Sequence, residues 1–149
     1  MATRRPLEFQ SLEEVMPDVE RLLAGHGTAG QWSLAQICNH LAMALRSTAR
    51  PPREMPAATP EQSVLKKRFF SQKAFPPGRP APAPFVPRDD LDIDTEVAAL
   101  ADAIKLMLAA DGPFPSHPYL GPLSREEWLR FHTMHAEHHL SFAVPNTKA

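Results

Sequence analysis

The sequence predicts an all-α chain, a four-helix bundle with one short extra helix and a Pro-rich crossover. Three observations carry that expectation. Capping boxes, a Ser or Thr with Glu or Gln three residues on, occur at four places where a helix could begin. Apolar residues downstream of them recur at helical spacing, and no stretch shows the alternation of a strand.

The elements follow in order. Ser11 with Glu14 opens a first helix that should stop near Gly25 and Gly27, and Pro17 inside it predicts a kink or a late start. Ser33 with Gln36 opens a second, ended by Pro51-Pro52. Thr59 with Gln62, and Pro60 at the first helical position, opens the short extra helix through Val64, Leu65 and Phe69. A further helix spans about Asp94 to Ala110, with Val97, Leu100, Ala101, Ile104 and Leu108 at helical spacing. Ser124 with Glu127 opens the last long helix, running to about Ala143 before Pro145. Proline occurs 17 times. Its run from Phe75 to Pro87 predicts an extended, polyproline-like connection over about residues 71–93, read as a surface crossover between helices.

At 149 residues the chain is expected to form one domain over residues 1–149. The formal net charge of -1 gives no field that favours nucleic acid or an anionic membrane, so neither is an expected partner. The single cysteine, Cys38, excludes an intrachain disulfide and reads as a small core residue. Met1 to Gln10 lacks the apolar core of a signal peptide, and no stretch is long and apolar enough to span a membrane. A cytoplasmic location is the resulting expectation. Lys66-Lys67-Arg68 beside Phe69-Phe70 reads as a solvated helix face with the aromatic pair turned inward.

Histidine carries the chemistry. Four of the seven lie between His132 and His139. At about 100° per residue, Trp128, Phe131, His135, His139 and Phe142 share one face roughly 80° wide. Glu126, Arg130, Thr133 and Glu137 fall opposite. His135 and His139, four residues apart, therefore stack on the face that should meet the core, at the spacing by which one helix grips one ion. On the second helix the apolar stripe is Leu34, Ile37, Leu41, Ala44, Leu45 and Thr48, and His40 lies at its inward margin. His40, His135 and His139 make a three-imidazole set that leaves a coordination position open for water or substrate. Satisfied core histidines explain the same pattern without a metal. His132 and His138 read as flanking helix-margin residues, His117 as part of a structural turn before Pro118, and His26 as a loop residue.

The segment Trp32 to Ala42 resembles the second helix of the DinB-like superfamily. His117-Pro118-Tyr119, the helix start Leu123-Ser124-Arg125-Glu126-Glu127-Trp128, and the closing His135 with His138-His139-Leu140 resemble an uncharacterised branch of it. The resemblance implies a DinB-like bundle in which His40, His135 and His139 bind a divalent metal ion, zinc or nickel. It further implies hydrolysis or the transfer of a low-molecular-weight thiol to a small-molecule substrate, and a homodimer. A metal- or ligand-binding module without turnover, and a structural bundle without metal, are the alternatives. No general acid or base is fixed by the sequence.

Overall fold

The computed structural model describes residues 4–49, 57–72 and 87–146. Its helices begin where side chains meet the backbone N–H groups that a helix start leaves unpaired. Ser11 to Glu14 lead through a one-turn 3-10 segment, Leu12–Glu14, into α1, Val15–Leu23. The Glu14 carboxylate accepts from the N–H groups of Gln10 and Ser11. Pro17 thus stands in the first turn of α1, where its missing N–H removes no helical bond. The late start was the correct half of that expectation.

Reciprocal Ser33 and Gln36 bonds open α2, Leu34–Ala49. Thr59 and Gln62 open α3, Pro60–Ser71, with Pro60 at its first position. Asp92, a cap missing from the sequence reading, accepts from the N–H and hydroxyl of Thr95 and starts α4, Ile93–Ala109. Ser124 and Glu127 open α5, Arg125–Leu140, which ends three residues before the expected Ala143. The Pro51-Pro52 stop and the Pro-rich path over 73–86 lie outside the described residues.

The chain beyond α5 turns instead into β2, Ala143–Pro145. It pairs antiparallel with β1, His26–Thr28, in the register His26 to Pro145 and Thr28 to Ala143. This small ladder corrects the strand-free expectation. Three residues are too few for alternation to register.

The core is one apolar cluster. Val19 and Leu22 of α1, Ile37 and Leu41 of α2, Leu100 and Met107 of α4, and Leu140 of α5 are among its most deeply buried members. Helix α2 packs along α4 on one side and against α5 on the other. Helix α3 lies against the start of α5, where Phe69 meets Phe131 at 5.6 Å between ring centroids and Lys66 pairs with Glu127 at 3.0 Å. Among the described residues the structure is mostly helical, and no helix is long and apolar enough to cross a membrane.

Helix α5 departs from the two-faced pattern expected of it. Every residue from Phe131 to Ala136 is buried, including His132 and Thr133, which the helical wheel assigned to the margin and the polar side. The helix is central: it meets α2, and the 3-10 turn and N-terminal segment approach it from another direction. Glu137 shows this, accepting the Phe9 N–H at 2.6 Å. Thr133 is accommodated by donating its hydroxyl to the Leu129 carbonyl at 2.7 Å.

Candidate metal centre

Two helices bring the three histidines together. His40 lies in the second turn of α2, and His135 and His139 occupy the last two turns of α5. The Nε2 atoms of His40 and His135 stand 3.0 Å apart, and those of His135 and His139 3.1 Å apart. One nitrogen from each of the three falls within 4.8 Å of the others. His40 and His135 are buried and His139 is half-buried.

Imidazole–metal bonds of about 2.0–2.1 Å in a tetrahedral arrangement put ligand nitrogens roughly 3.3 Å apart. The two short separations come within a few tenths of an ångström of that edge. Hydrogen bonding alone serves the cluster less well. The His135 Nε2 is either donor to both neighbours or acceptor from both, so one hydrogen or one lone pair is divided between two partners. A cation would instead receive a lone pair from each ring.

Burial favours the neutral form of His135 and His139, the form that ligation requires. Burial, then the neighbouring imidazoles of His139 and His40, hold His135 well below the ordinary histidine range. Burial, with His40, His138 and Arg4 behind it, pushes His139 down to about 3. Trp32, just ahead of α2, stacks on His139 with centroids 5.4 Å apart and lies 5.0 Å from His40, so one indole braces both rings. No helical periodicity marks Trp32 in the sequence, because it precedes the helix.

The other histidines have separate tasks. His132 Nε2 meets the Thr48 hydroxyl at 2.9 Å and its ring stacks on Trp128 at 5.5 Å. Burial, with His117 adding to it, brings its pKa down to about 3. The His138 Nδ1 lies 3.2 Å from the Arg4 guanidinium, and burial followed by that charge lowers it to about 4. His117 accepts on Nδ1 from the N–H groups of Tyr119 and Leu120, at 3.0 and 3.2 Å. Its backbone exchanges two 2.9 Å hydrogen bonds with Gly121, closing a tight turn. Gly121 has φ of 78°, so the turn calls for glycine, and a Cβ there would also crowd the Gln62 side chain of α3 at 3.0 Å. His26 lies in β1, its Nδ1 3.0 Å from the Leu22 carbonyl. Cys38 is fully buried away from the cluster, and burial, then Glu96, pushes its thiol up to about 12.

A cavity of about 850 Å³ opens beside the three histidines. All three line it, with Trp32, Phe69, Trp128, Phe131 and Phe142 forming much of the apolar wall. His117, His132 and His138 also reach its lining. Volume and apolar character match a small-molecule site, set between helices of a bundle. Three nitrogen donors at the wall of such a cavity can hold an ion that also meets a ligand.

A profile of the family described as Protein of unknown function (DUF1569) matches residues 1–146. No curated protein and no solved structure matches the chain.

Proposed function

The chain belongs to the DUF1569 family, and for this member we propose a single divalent metal site on His40, His135 and His139, with zinc or nickel as the ion. The convergence of three imidazole nitrogens from two helices, at 3.0 and 3.1 Å, carries the proposal. Imidazole suits either metal. A bound divalent ion would lower the pKa of water or of a thiol toward neutrality, the chemistry of a metal-dependent hydrolase or a thiol transferase. The DinB-like resemblance of the second and last helices supports the same reading. The chain's own residues supply the rest: Trp32 braces two of the rings, and the aromatic wall gives a substrate an apolar surface beside them.

Elemental analysis of protein purified without a His tag tests the site. One equivalent of zinc or nickel in the wild type, lost in His135→Ala, is expected. No metal in either after soaking would return the three histidines to core packing. Metal bound tightly, with no turnover of ester or thiol-acceptor substrates, would leave a binding module.

A further inference from the structure

We propose that the cavity selects a small organic anion with an apolar body. The inference builds on the metal reading for part of its charge, while Arg68 supplies another part alone. Among the described residues, Arg68 is the charged residue on the cavity lining. No carboxylate lies on the lining among the described residues, and its other polar positions, such as Ser47, Thr48 and Gln72, are neutral. Lys66, two residues before Arg68, is compensated by Glu127 at 3.0 Å. Arg4 stands behind the lining residue His138. Among the described lining residues a guanidinium therefore stands with no carboxylate to offset it, and a divalent ion on the three imidazoles would add two charges.

Beside a largely apolar wall the charge of a bound ion is weakly screened, while the exposed Arg68 guanidinium is partly screened by solvent and contributes the smaller share. A carboxylate head gains both from the guanidinium fork and from the metal, an ammonium head is repelled by both, and an alcohol gains burial alone. Indole and phenyl walls supply the surface for an aromatic or aliphatic body. Arg68 itself is exposed on α3, so its replacement removes charge without opening the core.

The chain's two tryptophans, Trp32 and Trp128, both line the cavity, so intrinsic fluorescence reads occupancy directly. Phenylbutyrate, phenylbutanol and phenylbutylamine share one body and differ in head charge. Titrated into zinc-soaked protein, phenylbutyrate is expected to bind about tenfold more tightly than either of the others. Arg68→Gln should weaken phenylbutyrate by roughly fivefold and leave phenylbutanol unchanged, and Arg68→Lys should recover part of the loss. Equal affinities for the three heads, no quenching by any of them, or a carboxylate preference indifferent to Arg68→Gln would overturn the proposal. Zinc content is measured on the same samples, so the two readings separate. A preference for phenylbutyrate that depends on Arg68 in protein holding no zinc would sink the metal site and keep the anion cavity.

Discussion

Two buried polar clusters sit at α5 and differ in what their atoms face. Near the end of the helix, Asp18 of α1 is almost fully buried, yet its oxygens take Arg5 in a two-pronged contact at 2.8 and 2.6 Å, and Arg21 at 3.0 Å. Arg5 gives two further donors to the carbonyls of Ala143 and Leu140. Charge meets opposite charge, and donor meets acceptor. In the histidine cluster, nitrogen faces nitrogen of the same chemical type. His132 lies between these cases: it is as buried as His135 and one turn away on α5, but its nitrogen meets a hydroxyl. Burial of a polar group is thus common to architecture and to chemistry. The identity of its partner tells them apart.

Four experiments break or sharpen that contrast, the largest effect first. Arg5→Ala leaves a buried carboxylate with only the exposed Arg21 beside it, and should cost about 3–5 kcal/mol in urea unfolding, with or without metal. Zinc at a hundredfold excess over its dissociation constant should stabilise the wild type by about 2.7 kcal/mol. The same addition should leave the melting temperature of His135→Ala unmoved. Thr48→Val removes the hydroxyl that His132 faces while keeping the shape, and the predicted loss is about 1–3 kcal/mol, again independent of metal.

The smallest effect, taken per pH unit, is a slope. His132 has a folded pKa of about 3, below the ordinary histidine value, so the unfolded chain binds its proton first. Its contribution to stability is complete above pH 6.5 and falls as the pH drops toward 3, by about 1.4 kcal/mol per pH unit. Thr48, Trp128 and His117 surround this ring. Unfolding curves of His132→Gln should show a shallower acid slope by that amount. An unchanged slope would mean that the ring is protonated in the folded protein.

Much of this was legible in the sequence for reasons that can be named. Helix starts are local chemistry, and all four boxes hold their helices in place. His40, His135 and His139 could be grouped because the last two lie on a periodic apolar stripe and His40 at the inward margin of another. What escaped depends on distant partners. The β1–β2 ladder joins segments more than a hundred residues apart, each three residues long. Trp32 reaches the histidines from outside any helix. Helix α5 is surrounded, and one sequence cannot announce how many neighbours a helix will have. The cavity and the place of Arg68 on its lining likewise arise only from the packing of α2, α3 and α5.

The ladder between β1 and β2 bears on how the protein is made. His26 pairs with Pro145, and Arg5 donates its N–H to Ser141, so the earliest described segments are completed by the latest. During synthesis α1 and β1 emerge without the surfaces that will cover them, and His40 precedes His135 by 95 residues. Closing so long a loop has to precede the contacts that reward it, which slows folding. The three-imidazole cluster therefore cannot form until His139 has been added and the chain has folded back on His40. An ion held by all three rings is taken up only after the chain has been made through His139.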